Sequence, residues 1–173
     1  KLKKFDNFEL YTSCEATFGQ AEYIRDGIVY GDWHSNFLHM MVDKVPRAMH
    51  NMCTINALCL ESLPQLLEKM VWFKSASKVY GPEVNFTLNI LRFPSFQSPL
   101  VLPDDLRNKF KLDLVKFLNS NEKHLEHMEI NQTQRLIDYL DVVKTPHAGA
   151  AEQSKLQKDF KAFYSQYDKR SGK

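Results

Sequence analysis

The chain has few cysteines and no long apolar segment, and both shortages limit what it can be. Its three cysteines, Cys14, Cys53 and Cys59, are odd in number and lie in the first third of 173 residues. That usage argues against a disulfide framework and favours a reducing compartment, so we expect a cytoplasmic protein. No apolar run approaches the roughly 20 residues of a membrane-spanning helix. The charged residues at 1–7 do not resemble a signal peptide, and we expect no membrane partner.

An excess of one charge is also missing. The chain carries 23 Lys and Arg against 21 Asp and Glu, for a net charge of +2, which is too small to indicate a nucleic-acid partner. Apolar residues make up 43% of the chain and charged residues 25%, as in globular domains that bury a core. Because the sequence begins without Met and ends at Gly172-Lys173, we interpret it as a piece of a longer polypeptide.

The first half alternates between strand and helix patterns. Strands rich in β-branched and aromatic residues are predicted at Phe8–Thr12, Ala48–Asn56 and Val84–Leu91. A helix after Asp32, its predicted N-cap, ends before Pro46, and a second covers 61–75 with Pro64 in its first turn. The order βαβαβ predicts parallel strands joined by right-handed crossovers. An α+β arrangement with antiparallel pairing is the alternative.

The pattern changes after Pro94. A connection rich in Pro and Ser covers 93–103, and three amphipathic helices are predicted around 106–118, 125–140 and 156–167. Their apolar faces need a covering surface, and we expect them to pack on the βα layer. We therefore predict an α/β fold in which three parallel strands with crossover helices are followed by a helical C-terminal part.

Polar side chains gather where the predicted strands end. Ser13 and Glu15 follow the first strand, Asn56 ends the second, and Arg92 follows the third. Ligands of parallel α/β folds bind at the carboxyl ends of the strands. Arg can hold a carboxylate there, and acidic, hydroxyl and amide groups can hold an ammonium or a ribose. Alternatively, these residues cap helices and fix loops.

Two other features are weaker indications of a catalytic or metal-binding site. Cys14 lies at a strand end and could be a nucleophile, although a cysteine also serves as a small apolar filler. His124 and His127 stand three residues apart on a predicted helix, but they belong to no hydrolase motif and fit a solvated helix face. We assign no catalytic and no metal-binding residue within the chain.

Several segments together resemble the radical S-adenosylmethionine (radical SAM) family. Thr12–Ala16 followed by Ala21–Gly27 resembles the family's fourth barrel strand and the segment after it. Cys53–Leu58 with Leu63 resembles the fifth strand, and 84–97 resembles the sixth strand and the turn that leaves the barrel. The tail from Asp159 to Arg170 resembles the end of family members that carry a twitch-type C-terminal extension.

The resemblance implies a fold and a set of cofactor contacts. Residues 1–98 would form the C-terminal half of a partial (β/α) barrel, and residues 99–173 a helical extension. Ser13 and Arg25 would contact the amino-acid end of S-adenosylmethionine, and Asn56 its amino-acid or ribose part. Glu15 and Arg92 would face the substrate side.

The chain departs from the family in its cysteines. The Cys-x3-Cys-x2-Cys loop that holds a 4Fe–4S cluster is absent, so the resemblance implies that these ligands and the missing N-terminal half of the barrel lie upstream. No cysteine follows Cys59, so the extension cannot hold an auxiliary cluster through its own thiolates. The complete enzyme would reduce S-adenosylmethionine by one electron, and the 5′-deoxyadenosyl radical would abstract hydrogen from a small-molecule or peptide substrate. This chain alone would be inactive.

Two other functions remain open at the level of the residues. The chain could be a non-catalytic α/β module that binds a partner protein or peptide through its helical half. It could also be an ordinary parallel α/β enzyme with Cys14 or Glu15 in catalysis.

Overall fold

The computed structural model describes residues 7–142 and 149–172, which form an α/β fold around a parallel three-stranded sheet. The strands are Glu9–Ser13 (β1), Ala48–Ile55 (β2) and Glu83–Ile90 (β3). The helices are Phe18–Ile24 (α1), Tyr30–Val42 (α2), Leu63–Tyr80 (α3), Asp104–Asn121 (α4), His127–Leu140 (α5) and Gly149–Ser171 (α6). The charged residues 1–6, on which the signal-peptide argument rests, lie outside the described residues.

The parallel arrangement of the strands is confirmed, and the antiparallel alternative is wrong. The strand order is β1-β2-β3, with Ser13 opposite Met52 and Ile55 opposite Ile90. Each pair of neighbouring strands is joined through helices: α1 and α2 connect β1 to β2, and α3 connects β2 to β3. The helical C-terminal part follows as predicted.

Several element boundaries differ from the sequence prediction. Helix α2 begins at Tyr30 with Val29 as its N-cap, so Asp32 lies in the first turn instead of capping it. An acidic residue there still interacts favourably with the helix dipole. Helix α3 continues to Tyr80 and ends at Gly81, whose φ of 110° suits a residue without a Cβ. Helix α1 was not predicted.

One face of the sheet carries the hydrophobic core. Its buried side chains pack against α2, α3, α4 and α5. From the strands, the core includes Met49, Cys53, Ile55, Val84, Phe86 and Leu88; from α3, it includes Leu66, Leu67, Met70 and Phe73. Phe110, Leu114 and Leu136 of α4 and α5 belong to the same cluster. The expectation that these two helices pack on the βα layer is therefore confirmed.

The alternate side chains of the strands form the opposite face of the sheet, which we call the open face. It includes Tyr11, Ser13, His50, Met52, Thr54, Thr87 and Asn89, and at its amino end the buried Ala48 and Asn85. Tyr11 is 59% exposed and Met52 40% exposed, and Thr54 and Asn89 are also exposed. Parallel sheets are normally covered on both faces, so a largely polar, solvent-facing side is unusual for this architecture.

The outer edge of β3 is covered by side chains of α5. The backbone N–H of Phe86 donates to Glu129 Oε1 at 3.0 Å, and that of Leu88 donates to Gln132 Oε1 at 2.6 Å. Arg135 Nη2 donates to the Leu88 carbonyl at 3.0 Å. These bonds satisfy groups that a further strand would otherwise pair with. Within residues 7–142 and 149–172, no side chain hydrogen-bonds to the backbone of β1.

Candidate cofactor site at the carboxyl ends of the strands

The three strands end at the same edge of the sheet, as their parallel direction requires. Strands β2 and β3 end level with each other, and the Leu91 N–H extends their pairing by donating to the Ile55 carbonyl at 2.8 Å. Strand β1 ends three residues earlier, opposite Met52, a stagger of about 10 Å. The edge is therefore stepped, and β2 extends beyond the last paired residue of β1 by three residues, Cys53 to Ile55.

Glu15 and Arg25 meet at this step. Arg25 Nη2 lies 2.5 Å from Glu15 Oε1, and Arg25 Nε donates to Glu15 Oε2 at 3.3 Å. This two-pronged contact is the geometry in which a guanidinium holds a carboxylate most strongly. The hydrogen bond to Glu15 raises the pKa of Arg25, so Arg25 is a permanent cation at the carboxyl edge.

The two members of the pair differ in exposure, and the difference indicates their roles. Glu15 is almost fully buried, and its Oε1 also accepts a long 3.5 Å hydrogen bond from the Thr54 N–H. The Arg25 side chain is 43% exposed and keeps N–H groups that Glu15 does not use. Glu15 therefore positions Arg25, and Arg25 can present its remaining donors to an anion. The role on the substrate side that the resemblance implies for Glu15 stays a prediction.

Asn56 stabilises the turn after β2. Its Oδ1 accepts from the Leu58 N–H at 2.9 Å and from the Cys59 N–H at 3.2 Å. This is the loop-fixing role that the sequence left open as an alternative. The oxygen is fully used there, so only the side-chain NH2 group remains to donate to a ligand.

The other two predicted residues lie at the same edge with different surroundings. Ser13 is the last residue of β1 and is half-buried on the open face. Arg92 is exposed, and its guanidinium lies 5.6 Å from the centre of the Tyr139 ring of α5. A cation over an aromatic face is a favourable contact, and it directs Arg92 toward the C-terminal helices.

The three thiols are poor nucleophiles. Cys14, Cys53 and Cys59 are all fully buried, and Cys14 Sγ donates to the Ala16 carbonyl at 3.2 Å. Burial raises the pKa of Cys14 to about 11 and that of Cys59 to about 12, and it raises the pKa of Cys53 well above its usual value. Because the thiolate is the reactive form, these contacts argue against Cys14 in catalysis.

The residues also do not fit an iron–sulfur cluster held by this chain. A 4Fe–4S cluster is held by several deprotonated Cys thiolates that converge on it, whereas burial keeps the three thiols of this chain protonated. Across the described ranges, no group of three His, Cys, Asp or Glu side chains could hold a metal ion. His127 lies instead 3.1 Å from the Asn131 side chain in the first turn of α5.

A contact between α6 and α1 was missed in the sequence. The Tyr23 hydroxyl donates to Asp168 Oδ1 at 2.6 Å, and the Tyr167 hydroxyl donates to the Tyr23 carbonyl at 3.2 Å. Two causes raise the pKa of Tyr23 to about 12: desolvation, which is the larger, and the hydrogen bond to Asp168. Tyr23 lies two residues before Arg25, so helix α6 holds in place the segment that carries Arg25. The aromatic spacing of α6 predicted a packed face but not its partner.

Comparisons with known proteins gave no relative. The chain matches no protein family, and no curated protein or solved structure is significantly similar to it. Among the described helices, none is both long and apolar enough to cross a membrane.

Proposed function

We propose that this chain is the C-terminal portion of a cytoplasmic radical SAM enzyme and that it binds S-adenosylmethionine at the carboxyl ends of its strands. When bound, S-adenosylmethionine supplies the radical that abstracts hydrogen from a substrate. The substrate would be a small molecule or a peptide. The chain would be inactive without an upstream segment that holds the 4Fe–4S cluster, because its own thiols do not fit that role.

The observation that carries the proposal is the one-sided packing of the parallel sheet. Helices cover one face, whereas the open face presents hydroxyl, amide and imidazole groups such as those of Ser13, His50 and Thr87. In a (β/α) barrel the helices lie outside and the opposite face of every strand points into the barrel. A polar open face is suited to line such an interior, where a radical can be shielded from water.

The edges of the sheet support the same arrangement. Glu129 and Gln132 already bond to the edge of β3, so a barrel that continues beyond this chain would add its strands beside β1. Further strands there would complete the open face into an enclosed surface. The upstream half of the barrel is the partner that we propose for this position.

Arg25 is the residue that we propose for the carboxylate of the cofactor's methionine part. Its charge is fixed, its direction is set by the buried Glu15, and its side chain is 43% exposed at the carboxyl edge. The NH2 group of Asn56 would donate to the cofactor's amino-acid or ribose oxygens. Ser13 would bind the amino-acid end, and Arg92 would lie on the substrate side.

The first experiment uses the complete gene product. A barrel of ordinary size places its first strand roughly 100 residues before this chain, and we expect Cys-x3-Cys-x2-Cys after that strand. Anaerobic reconstitution with iron and sulfide should give a brown protein that cleaves S-adenosylmethionine under reduction. A complete reading frame without the motif, or a colourless and inert product, would favour the partner- or peptide-binding module instead.

A second experiment tests Arg25 against a matched residue. Arg47 also pairs with a glutamate, Glu9, but at the amino end of β2. In the reconstituted complete product, Arg25→Ala should weaken S-adenosylmethionine binding about tenfold or more, since a charge-assisted hydrogen bond is lost. Arg47→Ala should leave the affinity unchanged. Equal effects of the two substitutions, or none at Arg25, would contradict the site.

A further inference from the structure

A separate pocket lies among α1, α2 and α3, on the helical side of the molecule. It has a volume of about 310 Å³, and its lining includes Phe18, Glu22, Tyr30, His34, Ser35 and Lys69. Small-molecule sites typically combine an apolar, aromatic lining with a few polar groups, and they start at about 300 Å³. The size and the lining therefore suit a ligand with one aromatic ring.

The mouth of the pocket has an aromatic side chain on a strained backbone. Phe18 has a φ of 49°, in the left-handed region that residues other than glycine rarely adopt. Its side chain is 65% exposed, and its ring centre lies 5.0 Å from that of Tyr30. Such strain concentrates at ligand-binding positions. The exposed ring of Phe18 therefore forms a wall of the pocket beside the buried ring of Tyr30, and a rotation about its side-chain bonds would open that wall.

Two buried polar atoms of the lining have no hydrogen-bond partner among residues 7–142 and 149–172. They are the hydroxyl oxygen of Tyr30, a residue that is only 3% exposed, and Nε2 of His34. A buried polar atom left unpaired costs about 1–3 kcal/mol, and such atoms in a native structure call for an explanation. A ligand that moves the Phe18 ring aside would reach them and supply the missing hydrogen bond.

The lining carries one cation, Lys69, and one carboxylate, Glu22, and the two differ in what they contact. Burial and the neighbouring Lys69 lower the pKa of His34, so His34 is neutral at pH 7 and Lys69 supplies the positive charge. The described contact of Lys69 is with the Trp72 ring, at 6.0 Å. The carboxylate of Glu22 accepts from the Tyr30 backbone N–H at 3.0 Å, where it interacts with the start of α2.

We propose that this pocket binds a small aromatic carboxylate. The ligand's ring would lie between Phe18 and Tyr30, and its carboxylate would pair with Lys69. The Tyr30 hydroxyl and His34 Nε2 would hydrogen-bond to the ligand's polar substituents. This site is separate from the proposed cofactor site, since the lining of the pocket does not include Glu15, Arg25 or Asn56.

The test titrates the 173-residue chain with 4-hydroxybenzoate and with its neutral analogue 4-hydroxybenzamide, followed by NMR chemical shifts. We expect saturable binding of the carboxylate with a Kd of about 1 mM or below, given the ligand's size. Lys69→Met should weaken the carboxylate about tenfold and leave the amide unchanged. Tyr30→Phe, which keeps the ring, should weaken both probes.

Lys116→Met is the control, because Lys116 is an exposed lysine of α4 that pairs with Asp113. It should bind both probes like the parent chain. The NMR spectrum of each variant reports whether the fold is kept, and the conservative Tyr30→Phe variant remains informative if Lys69→Met does not fold. Absence of saturable binding by either probe, or equal effects of Lys69→Met and Lys116→Met, would overturn the proposal.

Discussion

The two faces of the sheet are built from alternate residues of the same strands but have opposite surroundings. On β3, Phe86 and Leu88 are fully buried under helices, whereas Thr87 and Asn89 face the other way and are partly or largely exposed. The covered face holds the fold together. The open face contributes little burial, so its polar residues are free to serve a function that the fold itself does not need.

The largest expected effect is on the covered face. Phe86→Ala should lower the free energy of unfolding by about 4 kcal/mol, because it removes a fully buried ring and leaves a cavity. Its neighbour Thr87 lies on the open face, and Thr87→Ala should cost less than about 1 kcal/mol. Urea denaturation of both variants makes the comparison. Similar losses at the two positions would mean that the faces are not as different as described.

The next largest loss of stability is expected at a buried ion pair beside the outer edge of β3. Lys74 Nζ lies 2.8 Å from the fully buried Glu129 carboxylate and 3.1 Å from Asn85 Oδ1. Glu129→Gln should destabilise the chain by about 3 kcal/mol, because it leaves a buried ammonium without its counter-charge. Asp113→Asn removes an exposed pair on α4 and should cost about 0.5 kcal/mol or less. Thermal melts of both variants test the contrast.

The buried thiols on the covered side make stability depend on alkaline pH. The pKa of Cys14 is raised from 9.0 to about 11, so above pH 9 the unfolded chain loses a proton that the folded chain keeps. Stability therefore falls as pH rises through this window, by about 1 kcal/mol from Cys14 at pH 10. Cys14→Ala should show a smaller loss between pH 8 and pH 10 than the parent chain in urea titrations. Equal losses would show that the thiol is not sealed.

The smallest effect on stability is expected on the open face itself. Thr54 and Asn89 are both exposed there, and the double substitution Thr54→Ala with Asn89→Ala should change the unfolding free energy by about 0.5 kcal/mol or less. In the reconstituted complete product, the same variant should lose turnover if these side chains line the barrel interior. A strongly destabilised variant would instead assign the open face a structural role.

Much of the fold was predictable because burial leaves a periodic pattern. The alternation of Val84, Phe86 and Leu88, and the connections through helices, predicted β3 and its parallel pairing. Helix α1 was not predictable in the same way, since only Ala21 of its seven residues is buried. The extension of α3 to Tyr80 was also missed, because Val79 of the last turn is 76% exposed and does not continue the buried stripe, and Gly81 then ends the helix.

The candidate site was predictable in its place but not in its contacts. Parallel strands bring their carboxyl ends together wherever they occur, so the edge follows from topology. The pairing of Glu15 with Arg25 and the contact of Tyr23 with Asp168 depend on how α1 and α6 pack. The second pair is separated by 145 positions in sequence, and no local pattern encodes such a contact.

The most direct test of the central claim is the accessibility of the open face in the complete gene product. Thr54→Cys places a thiol on that face, and the three native cysteines are buried and protonated. A maleimide should label this thiol rapidly in the 173-residue chain and at least about tenfold more slowly in the complete product, since an enclosed surface is protected from solvent. Lys116→Cys should label equally in both. Equal labelling of Thr54→Cys in the chain and in the complete product would contradict the claim that the open face is the inner wall of a larger barrel.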